Sequence, residues 1–176
     1  QVGKTTMLES LSCFKDLKVI FLSGDEADVR EFLTNTTSTR LQAYFGDNQI
    51  VVIDEAQQIQ NIGTTLKLIT DKLKHIQVIA TSSSAFELAN RVNEPLTGRK
   101  FEFNIYPISF GEMVKHHGLL TESRLIDNRL VFGYYPEIVT NAGKEEKLLR
   151  LIANSYLYKD LLSLETSTIK KLWKET

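Results

Sequence analysis

Three short apolar runs stand out from a mostly polar chain. Each run is followed by residues typical of turns or of polar sites. This pattern predicts buried strands. The runs are Val19–Leu22, Ile50–Ile53 and Val78–Ala80. Because the second run is apolar at every position, we expect a central parallel strand covered on both faces. Phe101–Ile105 alternates apolar and polar residues and predicts a further strand, half exposed or at an edge.

Residues with helical spacing separate the predicted strands. Apolar residues from Met7 to Phe14 form one stripe, and those from Ile62 to Leu73 recur at intervals of three and four. One or two short helices are also expected between Asp25 and Phe45. The alternation of strand and helix predicts an α/β fold with a mostly parallel sheet and helices on both faces.

The pattern changes after residue 107. Ser109 and Glu112 have the spacing of a capping box, which predicts the start of a helix. A strong helical pattern follows over Leu148–Leu164. We therefore expect an α/β core over residues 1–107 and a helical region over residues 108–176, which would be a lid or the start of a C-terminal part.

Composition and charge narrow the class of protein. The 176 residues are 42% apolar and 24% charged, as in an ordinary globular protein, and a net charge of −1 offers no general attraction to nucleic acid or to an anionic membrane. The single cysteine, Cys13, cannot form an internal disulfide, which fits a reducing cytoplasm. The apolar runs are too short to cross a bilayer, so no membrane partner is expected.

The chain begins with residues suited to binding a triphosphate. Gly3 is followed by Lys4, Thr5 and Thr6 at the start of a predicted helix. In a phosphate loop, backbone N–H groups converge on the phosphates, a Lys faces the β- and γ-phosphates, and a hydroxyl, here that of Thr5, binds Mg²⁺. The first Gly of such a loop would lie upstream of Gln1, so we expect half of the loop and the preceding strand to lie outside this chain. Taken alone, the tripeptide is weak evidence, because many solvated turns contain it.

An acidic pair follows the central predicted strand. Ligands of an open parallel sheet bind outside the carboxyl ends of its strands, so Asp54 would face the same crevice as the phosphate loop. Asp54 would hold the hydrated Mg²⁺, and Glu55 would polarise the attacking water as general base. The alternative is that the pair ends the strand and faces solvent.

Hydroxyl side chains follow the next predicted strand. Thr81, Ser82 and Ser83 come directly after Val78–Ala80. At that edge of the sheet they would lie beside the γ-phosphate and sense it. Taken alone, such a cluster is more often turn or helix-cap chemistry. In order with the two earlier segments, the functional interpretation is the stronger one.

These segments resemble prokaryotic ATPases of the AAA superfamily, within the group whose core is often followed by a restriction-nuclease-like domain. The matching stretches are Gln1–Thr6, Val52–Gln57, Ala80–Ala85, Leu96–Arg99, Tyr106–Glu112 and Gly133–Glu137. The resemblance implies a P-loop fold of the additional-strand type, in which a strand lies between the phosphate-loop strand and the Asp54 strand. It also implies ATP and Mg²⁺ as cofactors.

The resemblance adds two candidates and one departure. Arg99 could stabilise transition-state charge, in cis or from a neighbouring subunit, or could form a surface salt bridge. Gln57 could orient water or relay between Glu55 and the helical region, or could start a solvated helix. The usual Gly of the sensor stretch is Ser82 here, which leaves both Ser82 and Ser83 as candidates for the phosphate contact.

The predicted function is ATP binding and Mg²⁺-dependent hydrolysis coupled to a conformational change. One alternative is a regulatory nucleotide-binding switch or interaction protein with negligible turnover. Another is a nucleic-acid-dependent, helicase-like ATPase, although the short spacing from Lys4 to Asp54 argues against it. The partner besides ATP would be a protein or a nucleic acid, and the sequence leaves the oligomeric state open.

Overall fold

The computed structural model describes residues 2–11, 14–83 and 96–154 of the chain. It divides into two compact units, one formed by Gly3–Ile105 and the other by Gln1–Val2 with Tyr106–Thr176.

The first unit is built on a parallel sheet whose described strands are β1 (Val19–Ser23), β2 (Ile50–Asp54) and β3 (Gln77–Ala80). Their order is β1-β2-β3, with both pairings parallel. The three strands predicted from the apolar runs are therefore confirmed. In this register Asp54 pairs with Ser23 of β1, so the carboxyl ends of the strands share one edge.

Both faces of β2 are covered, because successive side chains of a strand point to opposite faces. Val51 and Ile53 belong to the larger apolar core. Ile50 and Val52 pack with Leu8 of helix α1 (Lys4–Ser10) in a second core. The sheet is therefore sandwiched between helical layers, as the continuous apolar run predicted.

The larger core is formed with three amphipathic helices. They are α2 (Ala27–Thr34), α3 (Ser38–Phe45) and α4 (Ile62–Lys72). Thr37 caps α3 by accepting a hydrogen bond from the backbone N–H of Arg40. The buried hydroxyl of Thr65 donates to the carbonyl of Leu33 at 2.7 Å and so joins α4 to α2. The α/β fold predicted from the sequence is confirmed.

The predicted strand at Phe101–Ile105 is wrong. The segment forms no ladder with any described strand, and Phe101 and Phe103 are 92% and 85% exposed. Alternation shows only that a segment could present one apolar face. A strand also needs a neighbour that accepts and donates its backbone hydrogen bonds.

All the regular secondary structure in the described residues of the second unit is helical. Its helices are α5 (Phe110–His117), α6 (Leu119–Arg124), α7 (Ile126–Phe132), α8 (Pro136–Thr140) and a helix over residues 145–154. The predicted capping box is confirmed: Ser109 Oγ accepts from the Glu112 N–H, and Glu112 Oε2 accepts from the Ser109 N–H at 2.7 Å. The helix predicted over Leu148–Leu164 is confirmed as far as residue 154, and the rest lies outside the described residues.

A buried carboxylate holds part of this helical unit together. Glu122 of α6 is 0% exposed. Its carboxylate oxygens lie 2.7 Å from His117 Nε2, 2.6 Å from the Tyr134 hydroxyl and 3.3 Å from Arg129 Nε. Burial by itself raises the pKa of Glu122, but hydrogen bonds from Tyr134, His117 and Arg129 outweigh it and lower that pKa from its usual 4.5. Burial, followed by the bond to Glu122, raises the pKa of Tyr134 to about 12.

Candidate functional site

The candidate site lies at the edge where the parallel strands end. Asp54 is the last residue of β2, Ser23 the last residue of β1, and Thr81 follows β3 directly. The Thr81 N–H donates to the carbonyl of Ile53 at 2.9 Å, which continues the β2–β3 ladder to this edge. The sheet therefore gathers polar residues from separate parts of the chain.

Asp54 is bonded through both of its carboxylate oxygens. Thr5 Oγ1 donates to Oδ2 at 2.7 Å, and the Thr81 hydroxyl donates to Oδ1. Thr5 and Asp54, the two residues predicted to bind Mg²⁺, are 49 positions apart in sequence and yet in direct contact. The hydroxyl of Thr81 thus bonds to Asp54. The sequence had given Thr81 the same expected role as the two serines that follow it.

The phosphate-loop segment begins its helix at the predicted place. Gly3 has a left-handed backbone with φ of 79°, and its carbonyl accepts from the Met7 N–H at 2.9 Å. Lys4, Thr5 and Thr6 form the first turn of α1, where backbone N–H groups have no acceptor within the helix. These groups are the ones expected to meet an anion.

Glu55 has an unusual backbone and a closely bonded side chain. Its φ of 48° lies in the left-handed region, which is uncommon for a Glu. Its Oε2 accepts from Ser83 Oγ at 2.8 Å and also from Gln57 Nε2. Of the two candidate sensor serines, Ser83 bonds to Glu55, and Ser82 is half-buried.

Gly24 is a site residue that the sequence identified only as part of a turn. Its N–H donates to the carbonyl of Asp54 at 2.8 Å. A Cβ atom at this position would lie 3.2 Å from that carbonyl oxygen and closer still to the carbonyl of Glu55. Arg30 Nη1 donates to the Gly24 carbonyl at 2.9 Å and to that of Asp25 at 2.7 Å. The sequence feature that could have identified Gly24 is its position directly after β1, the strand that pairs with β2.

In a comparison with protein families, residues 1–114 match a family described as an AAA domain. The chain belongs to this AAA domain family. The match covers the whole first unit and the first residues of the second. No curated protein and no solved structure matches the chain significantly. The resemblance to AAA-superfamily P-loop ATPases is thereby confirmed, and the family indicates a nucleotide-binding ATPase. A nuclease-like domain after it stays a prediction.

Arg99 of this AAA domain forms an ion pair outside the cluster at the strand ends. Its Nη1 lies 2.7 Å and 2.8 Å from the two carboxylate oxygens of Asp71, a residue of α4. Both side chains are exposed. Among the described contacts, none joins Arg99 to Asp54 or Glu55. The structure therefore shows the salt bridge, and a catalytic role stays a prediction.

The residues of the AAA domain at this edge fit a nucleotide-bound Mg²⁺. No group of three or more His, Cys, Asp or Glu side chains that could hold a metal occurs in the described part of the chain. Thr5 and Asp54 instead offer one hydroxyl and one carboxylate. Mg²⁺ commonly takes one or two carboxylates and completes its shell with water and substrate phosphates. The donor set is therefore suited to this ion.

Among the described residues, no helix combines the length and apolar character that crossing a bilayer requires.

Proposed function

We propose that this AAA domain binds ATP with Mg²⁺ at the carboxyl edge of its sheet and hydrolyses it, with a conformational change as output. The observation that carries the proposal is the 2.7 Å contact between Thr5 and Asp54. It joins the start of α1 to the end of the central strand, which are the two places where a triphosphate and its metal need ligands.

Each residue has a role in the proposed reaction. The Lys4 ammonium faces the β- and γ-phosphates. Thr5 and Asp54 would hold Mg²⁺, which would neutralise the charge that develops on the phosphate oxygens. Glu55 takes a proton from water as the water oxygen attacks the γ-phosphorus, and the bond to the ADP oxygen breaks. Backbone N–H groups of Gly3 to Thr6 bind phosphate oxygens, and Ser82 or Ser83 contacts the γ-phosphate.

Arg99 remains a candidate for stabilising transition-state charge. To act there, in cis or from a neighbouring subunit, it must leave Asp71. An exposed ion pair of this kind stabilises a protein by only about 0–1 kcal/mol. The pair with Asp71 is therefore weak enough to be exchanged for a more negative phosphate group.

One experiment on the full-length protein tests the proposal. We expect Lys4→Ala to abolish ATP binding in calorimetry, because it removes the cation that faces the phosphates. We expect Glu55→Gln to bind ATP normally but to lose turnover by about 100-fold or more in steady-state phosphate release, because an amide cannot accept the proton.

Two variants on exposed faces of helices serve as matched controls. Lys67→Ala on α4 and Glu9→Gln on α1 remove the same charges away from the strand ends and should behave as wild type. Unchanged ATP affinity in Lys4→Ala would overturn the phosphate-loop assignment. Normal phosphate release by Glu55→Gln would remove Glu55 from its role. ATP binding by the wild type without turnover would favour the regulatory switch instead.

A further inference from the structure

Three side chains at the candidate site form a closed ring of hydrogen bonds. Gln57 Nε2 donates to Glu55 Oε2 and to Ser83 Oγ, the latter at 3.0 Å. Ser83 Oγ in turn donates its single proton to the same Glu55 oxygen at 2.8 Å. Both amide protons and the hydroxyl proton are therefore used, and two of the three bonds end on Oε2 of Glu55.

The orientation of the Gln57 amide shows that this position requires its Nε2 donor group and not its Oε1 acceptor. Gln57 is 3% exposed, and its Oε1 is buried with no hydrogen-bond partner among the described residues. Turning the amide over would place Oε1 against the Glu55 carboxylate, which when ionised can only accept. A buried carbonyl without a donor is unfavourable. The amide is therefore held for its two donors, and its acceptor is left unpaired as a consequence.

The backbone around Gln57 is attached to the strands on both sides. Gln57 lies in the single turn of 3₁₀ helix Ala56–Gln58 that follows the left-handed Glu55. The Ala56 N–H donates to the Thr81 carbonyl at 2.9 Å, and the Gln58 N–H donates to the Glu55 carbonyl at 2.9 Å. Gln57 thus has a defined position relative to the ends of β2 and β3.

We propose that Gln57 is a positioning residue for Glu55. Together with Ser83 it holds Oε2, and it leaves Oε1, which accepts no hydrogen bond from the described residues, as the oxygen that receives the proton from water. This inference rests on the proposed ATP hydrolysis. Beyond that reaction, the inference assigns the orientation of the Glu55 carboxylate to the Gln57 amide, which acts through Glu55.

The test compares Gln57→Met with Gln58→Met in the full-length protein. Both variants exchange an amide for a thioether of similar length within the same turn. Only the Gln57 side chain bonds to the Glu55 carboxylate, whereas the Gln58 side chain is exposed and its contact with Glu55 is through the backbone. We expect Gln57→Met to lower kcat by about 10- to 100-fold with KM and ATP affinity within about twofold, because misplacing a catalytic group costs rate and not ground-state binding. Gln58→Met should match the wild type.

A double-mutant cycle with Ser83→Ala and a nuclear magnetic resonance measurement make the test independent of folding defects. The Gln57/Ser83 double variant should lose less kcat than the product of the single losses, since both residues hold one oxygen. The side-chain amide resonances of Gln57 in the nucleotide-free protein, assigned by their absence in Gln57→Met, should exchange slowly with solvent and shift in both Ser83→Ala and Glu55→Ala.

The outcomes separate this inference from the proposed function. If the wild type hydrolyses ATP and Gln57→Met has the same kcat, the positioning role alone is overturned. The same holds if the Gln57 amide resonances are unchanged in both Ser83→Ala and Glu55→Ala. If Gln57→Met lowers the melting temperature and raises KM without a selective loss of kcat, Gln57 is a packing residue and the positioning role is overturned. A wild-type protein that binds ATP without hydrolysing it would overturn both.

Discussion

Gly24 tolerates little change, because it lies against the backbone that carries both carboxylates. Its N–H bonds to Asp54, and its Cα atom faces the carbonyl of Glu55 so closely that a methyl group does not fit. The obstacle is backbone and not the flexible end of a side chain. Room for a methyl group at Gly24 could come only from moving Glu55 or the turn that Arg30 holds.

We predict that Gly24→Ala destabilises the fold by about 1–3 kcal/mol, as over-packing of a close contact does. It should also lower turnover more than it lowers ATP affinity, since the displaced backbone carries Glu55. Thermal unfolding and phosphate release measure the two effects. Gly111→Ala is the matched control, because a Cβ there meets nothing within 4 Å, and that variant should be neutral or slightly stabilised. Equal behaviour of the two variants would contradict the close contact.

At the scale of elements, the clearest local signal is the capping box of α5. Ser109 and Glu112 exchange hydrogen bonds between side chain and backbone at the first turn of the helix. The pKa of Glu112 lies below its usual value, chiefly because its carboxylate accepts from the Ser109 backbone N–H and then from the Ser109 hydroxyl. Two helix-terminal N–H groups therefore depend on this pair of residues.

Ser109→Ala should destabilise the protein by about 0.5–2 kcal/mol, the usual effect of losing an N-cap. Circular dichroism during thermal or urea unfolding would measure the change. Ser123→Ala, an exposed position inside α6, is the control and should stay within about 0.5 kcal/mol of wild type. A Ser109→Ala protein as stable as Ser123→Ala would show that the box contributes nothing to α5.

Elements also show where local sequence information is sufficient. Val19–Ser23 and Ile50–Asp54 were predictable because continuous apolar runs have few alternatives to a buried strand in an α/β chain. Phe101–Ile105 has a regular alternation of apolar and polar residues but forms no strand. What it lacks among the described residues is a pairing partner, and partners come from tertiary structure.

At the scale of the whole molecule, the two units are organised by different interactions. The unit of Gly3–Ile105 has an apolar core on each face of its sheet. The helical unit also contains a buried ionic cluster centred on Glu122, with Arg129 and Tyr134 as partners. Such a cluster makes the stability of that unit depend on pH.

The sign of this dependence follows from the two pKa shifts. The pKa of Glu122 is lowered in the folded state, so the stability it contributes is present above pH 4.5, the usual value, and is lost as the pH falls below it. The pKa of Tyr134 is raised from 10.0 to about 12, so its contribution is present below pH 10 and is lost between about pH 10 and about pH 12.

We therefore expect Glu122→Gln to weaken the dependence of melting temperature on pH below 4.5, and Tyr134→Phe to weaken it above pH 10. Unfolding of the full-length protein across both ranges measures this. Glu137→Gln, at an exposed position of α8, is the control for loss of one negative charge. If Glu122→Gln and Glu137→Gln shift the acid-side melting curve equally, the buried cluster is not its source.

The sequence by itself determined the fold class, the three parallel strands, the start of α1 and the capping box of α5. These follow from the periodicity and spacing of neighbouring residues, which the chain carries locally. It also indicated the candidate site, because polar residues at the ends of parallel strands must share an edge.

Only the tertiary structure decided which side chains meet at that edge. Thr5 reaches Asp54 because α1 and β2 pack together, and Ser83 reaches Gln57 because β3 ends beside β2. The restriction at Gly24 likewise depends on residues distant in sequence, and the surroundings of Glu122 depend on how neighbouring helices pack. The physical reason is that a contact is set by packing and strand register, whereas a sequence pattern specifies only which surface each element offers.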